Sequence, residues 1–285
     1  MIPAAFQYHS PNSVADAIDL LSTHGADAKI LAGGQSLIPM MKLRLADPQV
    51  IIDLGNISSM NYITKRDGGV AIGGMTTYEQ IESSDAVPSL LSETASSVAD
   101  VQVRNRGTIG GSLSHNDPAA DLPAAIIALG GEITTSSKNA HRTIQAADFF
   151  VDLFTTDLGE NEILSEVFIK SPAPSSGSAY LKFANKASHY AIVGVATLIE
   201  TDSSGNCISA NIGVSGAGPS AFKAEDAEKV LVGSKLDEST IAEAATQAGN
   251  GIEFNEDVHA SAEYRAHLLK VYGTRAIRKA VSRIG

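Results

Sequence analysis

The sequence predicts an α+β protein of two domains, the first covering residues 1–175 and the second residues 176–285. The chain has 285 residues, of which 44% are hydrophobic, and this is enough to build two cores. The stretch "SPAPSSGSA" (171–179) is rich in Ser, Pro and Gly, which is typical of a linker. At the same place the pattern changes from interleaved helices and strands to successive strands followed by helices.

The beginning of the chain predicts a small unit of alternating helices and strands. Apolar residues at helical spacing indicate a helix within 10–25. The stretches "AKILAGG" (28–34) and "PQVIIDLG" (48–55) indicate buried strands. Between them, "SLIPMMKLRLA" (36–46) carries Pro39 near its start, a position that suits the first turn of a helix.

The remainder of the first domain predicts a hairpin, several helices and two further strands. Residues 61–84 contain the turn sequence "RDGGV" and then Thr76 and Thr77, either of which suits a helix N-cap. A helix is expected from Pro88 onward. Residues 108–135 predict a polar loop with a glycine pair, then a helix and a strand, and a last strand closes the domain.

The second domain predicts a three-stranded antiparallel sheet followed by helices. The stretches "AYLKFAN", "AIVGVATLIE" and "CISANIGVSGAG" indicate the three strands. Helices are expected at roughly 223–232, 238–249 and 259–283. The last of these lies in a basic segment, 261–285, whose six cationic residues are Arg265, Lys270, Arg275, Arg278, Lys279 and Arg283. That segment is either a solvated helix face or a docking surface for a partner.

Composition excludes several classes of function. The net charge is −11, from 21 basic and 32 acidic residues, which argues against non-specific binding to nucleic acid. The single cysteine, Cys207, cannot form an internal disulfide, a zinc site or an iron–sulfur cluster, and no metal site is expected. We find neither a signal peptide nor a run of about 18 apolar residues, so a cytoplasmic protein without a membrane span is expected.

Two glycine pairs are the strongest local signals, in "LAGGQSL" (31–37) and "RGTIGGSLSHNDP" (106–118). Glycine permits positive φ and close backbone approach, and N–H groups in such turns can converge on an anion. Ser36, Thr108 and Ser112 would add hydroxyl donors. Two such loops suit a diphosphate, as in a dinucleotide, although a glycine pair beside a hydroxyl is also common in turns that bind nothing. Neither loop is G-x-G-x-x-G or a P-loop.

These loops lie in longer stretches that carry a family resemblance. "AKILAGGQSLIPMMKLRLADPQVIIDLG" and "VADVQVRNRGTIGGSLSHNDPAADLPAAIIALG" resemble the flavoprotein subunit of the molybdenum hydroxylases. That family includes the medium subunit of carbon monoxide dehydrogenase and the FAD domain of xanthine dehydrogenase. "SAEYRAHLLKVYGTRAI" (261–277) is similar to the family's C-terminal helix, so the resemblance covers essentially the whole chain. It implies a PCMH-type FAD-binding domain of two α/β subdomains, followed by a C-terminal α+β domain.

The resemblance implies non-covalent FAD held between the two loops. One loop would wrap one side of the diphosphate and ribityl chain, and the other loop would hold the opposite side. The residues assigned to the cofactor in this way are Leu31, Ala32, Gly33, Gly34, Gln35, Ser36 and Leu37 in the first loop, and Thr108, Ile109, Gly110, Gly111 and Ser112 in the second.

Four further positions match cofactor contacts of the family, and each has an ordinary structural alternative. Asp121 matches an acidic position that bonds the flavin or its ribityl hydroxyls, but it would also suit an N-cap. Leu164 matches an apolar flavin contact or is a plain strand residue. Lys182 matches a polar contact or is a solvated lysine. Tyr190, in a segment (185–193) that resembles a mobile loop, would shield one ring face or is a half-buried strand aromatic.

Residues beside the second glycine pair leave alternatives open. His115 would bond the cofactor or a loop carbonyl, and Arg104 and Arg106 would face the diphosphate or a partner subunit. Gln35 stands where carbon monoxide dehydrogenases carry His, whereas many relatives acting on heterocycles or aromatic compounds carry Gln. This difference favours an N-heterocyclic or aromatic substrate over carbon monoxide. No catalytic residue is predicted.

The function that the resemblance implies is electron transfer within a multi-subunit molybdenum hydroxylase. A large partner subunit would carry the molybdenum cofactor and a small one two [2Fe–2S] clusters, in a dimer of heterotrimers. Electrons would pass from the clusters to FAD and then to an external acceptor. The alternatives are a free-standing PCMH-type flavin oxidoreductase and a non-catalytic assembly subunit.

Overall fold

The computed structural model describes residues 2–285 and begins with a small parallel sheet. The elements of this first subdomain are β1 (Gln7–His9), α1 (Val14–His24), β2 (Ala28–Leu31), α2 (Leu37–Leu43) and β3 (Val50–Asp53). The strands are parallel in the order β1-β3-β2. Helix α1 buries Ala17, Ile18 and Leu21 against this sheet. The predicted alternating unit is confirmed, and the first glycine pair lies between β2 and α2.

The second subdomain is built on a five-stranded sheet in the order β4-β5-β10-β6-β7, antiparallel at every pairing. The strands of this subdomain are β4 (Ile63–Arg66), β5 (Gly69–Gly73), β6 (Glu132–Ser136), β7 (His141–Gln145), β8 (Phe150–Asp152), β9 (Thr155–Thr156) and β10 (Ile163–Lys170), of which β8 and β9 form a separate hairpin. Its helices are α3 (Tyr78–Glu82), α4 (Ser89–Ser96), α5 (Val101–Arg104), α6 (Ile109–His115), α7 (Leu122–Ala128) and α8 (Ala146–Phe149).

Two sequence signals of this subdomain are confirmed. The β4–β5 hairpin turns at Asp67 and Gly68, whose φ angles of 50° and 73° are those of a hairpin turn with two left-handed residues. Thr77 is the N-cap of α3 and forms a capping box with Gln80. Thr76, the other candidate, instead donates from its side chain to Tyr62 O at 2.9 Å.

The second subdomain has an antiparallel sheet, and five of its helices, α3 to α7, stand together between β5 and β6. It differs from the sequence prediction at one place. The second glycine pair lies in the first turn of α6, where a polar loop was predicted. Ile109 and Leu113, one helical turn apart, are fully buried. Their burial outweighs the poor helix propensity of the two glycines.

Helix α7 is the centre of the molecule. All of its residues are buried, as expected for a helix that is apolar on every side. It packs against α4 and α6 within the first domain, and against the sheet of the C-terminal domain. An added Cβ at Gly213 of that sheet would lie 2.0 Å from Ala124 O, so the helix and the sheet are in direct backbone contact.

The C-terminal domain contains the three predicted antiparallel strands and a short fourth one. Its elements are β11 (Ser176–Ala184), β12 (Ala191–Thr201), β13 (Cys207–Ser215), β14 (Phe222–Lys223), α9 (Glu225–Leu231), α10 (Glu238–Gln247) and α11 (Ala262–Val281). The sheet order follows the chain order. One face of the sheet packs against α7 and the other against α11, since Ala196 belongs to the core of the first side and Val193 and Val195 to that of the second. Within residues 2–285, no helix is long and apolar enough to cross a bilayer.

Candidate functional site

The two glycines of the first loop have different structural roles. Gly34 has φ +74°, a value that L-residues rarely adopt. Gly33 is not in that region, but an added Cβ there would lie 2.0 Å from Arg106 O and 2.8 Å from Gly107 Cα. The first loop is therefore pressed against the segment that leads into α6. The two glycine loops are therefore in contact.

The first loop presents a run of free backbone donors. In residues 2–285, no acceptor is hydrogen-bonded to the backbone N–H of any residue from Ala32 to Leu37. The loop closes instead through its carbonyls, because Ile38 N donates to Gly34 O at 3.3 Å and Met40 N to Ser36 O at 3.1 Å. Buried backbone N–H groups are normally paired, and successive unpaired N–H groups in a turn are the feature from which backbone anion-binding concavities are built.

The second glycine pair presents no free donors. The N–H groups of Ile109 and Gly110 donate to Thr76 O and Gly74 O, at 3.0 and 2.9 Å. Those of Gly111 and Ser112 donate to the Thr108 side chain and carbonyl, at 3.2 and 3.0 Å. The expectation of N–H donors from both loops is therefore met only by the first.

The second pair serves as a close-packed wall beside the first loop. An added Cβ at Gly111 would lie 3.4 Å from the Cβ of Ala32, and one at Gly110 would lie 2.6 Å from Gly74 O. Thr108 is only 3% exposed and its hydroxyl caps α6, so among the predicted hydroxyl donors of this loop the half-buried Ser112 is the accessible one.

Asp121 is the N-cap residue of α7, as one of the two alternatives predicted, but its side chain forms no capping hydrogen bond within residues 2–285. Its carboxylate accepts from the Tyr180 hydroxyl at 2.5 Å and from Lys182 Nζ at 3.0 Å. Burial raises the pKa of Asp121, and both of these partners oppose the rise. The carboxylate thus joins the start of α7 to strand β11 of the C-terminal domain.

Lys182 is not solvated, since its side chain is only 11% exposed. Besides Asp121, its ammonium donates to Ser97 O at 2.8 Å and to His189 O at 2.7 Å. An ammonium has three donors, and all three are used within the protein.

Tyr190 lies at the end of a loop, residues 185–190, immediately before β12, and is 45% exposed. Partial burial raises the pKa of its hydroxyl, and the negative charges of Asp117 and Asp121 raise it further. The neighbouring Tyr78 is buried, and burial above all raises its pKa to about 12, with Ser112 opposing this and Tyr190 adding to it. The N–H of the next residue, Ala191, donates to Ala119 O at 3.2 Å, so Tyr190 lies beside the segment between α6 and α7.

The other predicted residues are buried in the core or have partners within the chain. Leu164 is 4% exposed and belongs to the hydrophobic core of the first domain. Arg104 forms an ion pair with Glu82 at 2.7 Å and donates to Val98 O at 3.1 Å, so its guanidinium is engaged within the chain. The ring of His115 stacks at 5.0 Å from that of Phe154, and burial lowers its pKa.

Sequence reasoning missed Tyr180 and Gly74. Tyr180 precedes Lys182 by two residues, and residues two apart in a strand share a face, so the alternation of "AYLKFAN" carried the signal. Gly74, which follows β5, had no comparable signal, because its role is to allow Gly110 to approach its backbone.

The basic C-terminal segment is mostly engaged within the chain. Arg265 is 4% exposed and donates to Ile192 O and Gly216 O, both at 2.7 Å. The other engaged cations are Arg278, which pairs with Glu238, and Lys279 and Arg283, which both pair with Glu93 at 2.7 and 2.8 Å. Lys279 and Arg283 thus link the C-terminal helix to α4 of the first domain, and the docking surface stays a prediction.

Comparison with known proteins decides the family. The FAD binding domain in molybdopterin dehydrogenase matches residues 4–172, and the CO dehydrogenase flavoprotein C-terminal domain matches residues 178–280. This chain belongs to the molybdenum hydroxylase flavoprotein family. As a member, it is a subunit of an oxidoreductase, and its N-terminal domain is of the FAD-binding type. The predicted family, fold and enzyme class are confirmed.

Individual family members resemble the chain over its whole length. The nicotine 6-hydroxylase medium subunit of Paenarthrobacter nicotinovorans is 41% identical, over 98% of both chains. A chain of carbon monoxide dehydrogenase from Hydrogenophaga pseudoflava superposes with a TM-score of 0.97 at 38% identity, covering 100% of both chains. A chain of quinoline 2-oxidoreductase from Pseudomonas putida 86 superposes with a TM-score of 0.92 at 35% identity, covering 99% of both.

Proposed function

We propose that this chain is the FAD-carrying electron-transfer subunit of a molybdenum hydroxylase, which takes electrons from [2Fe–2S] clusters of a small partner subunit and passes them to an external acceptor. The observation that carries the proposal is the run of six unpaired N–H groups at residues 32–37, held against the wall of α6. When bound, the flavin ring supplies the electron chemistry, and the protein supplies position and electrostatics.

The diphosphate of FAD is the group that the first loop fits. Its N–H groups take the place of water around the phosphate oxygens, and Gly34 allows the turn that aims them. Leu31 and Leu37 flank the turn, and Gln35 lies exposed at its tip. The segment Thr108–Ser112 bounds the site on the other side by its surface and by the Ser112 hydroxyl.

The ribityl chain and ring are assigned to the side where Asp121 and Tyr190 lie. The Asp121 carboxylate retains acceptor capacity after its two hydrogen bonds, which suits a ribityl hydroxyl. Tyr190 is positioned to cover one face of the ring. Lys182 acts by holding Asp121, and Leu164 supports the site from the core.

We also propose a domain boundary between residues 175 and 176. Strand β10 ends at Lys170 and β11 begins at Ser176, so residues 171–175 of the predicted linker lie between two sheets, whereas residues 176–179 belong to β11. Unfolding of the two parts would not be independent, because the core of the first domain includes Tyr180 and Ala196.

The holoenzyme that we propose contains a large molybdenum-cofactor subunit and a small iron–sulfur subunit, in a dimer of heterotrimers. The chain spans 98% of the nicotine 6-hydroxylase medium subunit, whose name describes one component of a larger enzyme. Co-expression with a molybdenum subunit and a Cys-rich subunit, followed by native mass measurement, tests this composition. A stable, fully active flavoprotein without partners would favour a free-standing flavin oxidoreductase, and a flavin-free chain in the complex would favour an assembly subunit.

The proposed substrate of the holoenzyme is an N-heterocyclic or aromatic compound. Two of the relatives described above are named for nicotine and quinoline, and Gln35 agrees with this group. The substrate would be converted on the partner subunit. The support that this chain gives to the substrate proposal is therefore its similarity to those relatives. A screen of the purified complex with heterocycles and carbon monoxide, monitored by flavin reduction, decides between them.

The cofactor itself is tested by releasing it from the purified chain with heat and identifying it by mass. We expect FAD in the supernatant and none on the denatured chain. FMN, a nicotinamide nucleotide or no cofactor would contradict the proposal, and flavin remaining on the chain would contradict non-covalent binding. The predicted cytoplasmic location is tested separately by cell fractionation.

A further inference from the structure

The geometry points to Lys182 as a positioning residue that latches the loop 185–190 against the body of the protein and so keeps Tyr190 over the flavin. The hydrogen bonds of Lys182 that form the latch lie within this chain. The effect of the latch on the flavin rests on the proposed function.

Lys182 connects four separate parts of the molecule. Its stem is fixed in β11, and its ammonium bonds the carbonyl of Ser97 after α4, the carboxylate of Asp121 before α7 and the carbonyl of His189 in the loop. The Tyr180 hydroxyl occupies the other oxygen of Asp121, at 2.5 Å. The carboxylate is therefore fixed in place, and it fixes the ammonium in turn.

The loop has few other attachments. Asn185 organises it internally, because its side chain accepts from Ala187 N and Ser188 N, and its backbone exchanges hydrogen bonds with His189 and Tyr190. Two hydrogen bonds join the loop to other parts of the described chain, residues 2–285. One is between Asn185 Nδ2 and His259 Nδ1 at 3.2 Å, at the start of the loop, and the other is the bond from Lys182 to His189 O, next to Tyr190.

The carbonyl that Lys182 holds belongs to a strained residue. His189 has φ +63°, in the left-handed region that is unfavourable for residues other than glycine. Such a conformation persists where its surroundings impose it. The next residue is Tyr190, so releasing His189 allows the backbone to relax at the position that aims the Tyr190 ring.

The first test replaces Lys182 by Met, which keeps the length and the apolar stem but removes the ammonium. The exposed Lys186 reports on the loop, because endoproteinase Lys-C cleaves after it when the loop opens. Losing a hydrogen bond to a charged group predicts about a tenfold faster cleavage after Lys186 in the native chain. Lys235→Met is the matched control, since Lys235 Nζ also donates to a carbonyl, Ser204 O at 2.7 Å, in a different turn.

A second variant keeps the test decisive if the buried carboxylate left by Lys182→Met prevents folding. Lys182→Met with Asp121→Asn removes that unpaired charge and still lacks the latch. Faster cleavage in this double variant supports the latch, and wild-type cleavage in a folded variant overturns it.

Chemical rescue separates the ammonium from general packing effects. Lys182→Cys treated with 2-bromoethylamine regains an ammonium at the position of Nζ. The native Cys207 is 1% exposed, and burial raises its pKa to about 11, so the new thiol is the reactive one. Slow cleavage should return after alkylation and not after treatment with iodoacetamide. Equal rates after both reagents would overturn the assignment.

Quenching of flavin fluorescence by acrylamide tests whether Tyr190 covers the flavin ring. We expect Lys182→Met and unmodified Lys182→Cys to be quenched more strongly than wild type, and the alkylated form to return to the wild-type value. Faster cleavage with unchanged quenching would overturn the placement of Tyr190 over the flavin while leaving the latch intact. Unchanged cleavage would overturn the latch whatever the position of the flavin.

Discussion

The two glycine pairs look alike in the sequence and have different roles in the structure. Gly33 and Gly34 stand in a loop whose N–H groups are unpaired, whereas Gly110 and Gly111 stand in a helix whose N–H groups are all used. In the first pair one glycine permits contact with Arg106 and the other permits a left-handed turn. The second pair permits contact alone. A glycine pair beside a hydroxyl thus marks a place where backbones approach closely, and only its hydrogen bonding shows whether a ligand can be bound there.

The largest effect is expected for Gly33→Val. An added Cβ would meet a backbone oxygen, Arg106 O, at 2.0 Å, and neither backbone can move without separating the two loops. We expect a loss of more than about 4 kcal/mol in the free energy of unfolding, which a domain of this size does not tolerate. Urea denaturation and the yield of soluble protein measure this. Gly130→Ala is the comparison, because its Cβ would meet nothing within 4 Å in residues 2–285 and it carries only the smaller cost of a positive φ. A stable, flavin-free Gly33→Val would show that Gly33 serves the phosphate instead.

Gly110→Ala should be the next most damaging change. Its Cβ would lie 2.6 Å from Gly74 O, the acceptor of its own N–H. We expect a loss of about 3 kcal/mol in stability from this overpacking, with the FAD affinity of the folded fraction nearly unchanged. Thermal unfolding and titration with FAD measure the two quantities separately. A stable variant that no longer binds FAD would contradict the distinction between the two pairs.

Gly34→Ala should show the opposite pattern, with a smaller loss of stability and a loss of FAD affinity. The left-handed conformation costs an alanine about 1–2 kcal/mol, and the nearest atom, Ile38 Cδ1 at 2.7 Å, is the end of a side chain that can rotate away. Gly130→Ala, at φ +59°, should lose a similar amount of stability. Only Gly34→Ala should weaken FAD binding as well, as measured by calorimetric titration. Equal FAD affinity in both variants would remove Gly34 from the cofactor site.

The smallest effect is expected for Ser112→Ala. Its N–H remains bonded to Thr108 O, so α6 keeps its first turn and the change removes only a hydroxyl. A single net hydrogen bond predicts about 1 kcal/mol of FAD affinity and little change in stability. Fluorescence titration resolves this difference. A loss as large as that of Gly34→Ala would show that the α6 side contributes as much as the first loop.

Much of the fold could be predicted from the sequence because its signals are local. Helical spacing in α1, the turn chemistry at Asp67 and the alternation in β11 are each contained in a few residues. Helix α6 could not be predicted in the same way, because the burial of Ile109 and Leu113 depends on elements far away in the chain.

The sequence predicted which positions belong to the site, but it did not predict which side chains bond to one another. Asp121 and Lys182 were both identified, but they are 61 residues apart, and nothing in the sequence shows that each is the other's partner. The cations of the terminal helix are a similar case. Lys279 and Arg283 pair with Glu93, nearly 190 residues earlier, and nothing in the sequence shows that pairing.

The central claim is that the backbone of the first glycine pair, and not that of the second, binds FAD. It is tested most directly by hydrogen exchange of the glycine amides in chain labelled with 15N-glycine, followed by NMR before and after FAD is added to the flavin-free protein. We predict that the amides of Gly33 and Gly34 exchange rapidly at first and become protected by FAD, while those of Gly110 and Gly111 are protected throughout. If FAD instead protects Gly110 and Gly111 and leaves Gly33 and Gly34 exchanging rapidly, the account is wrong.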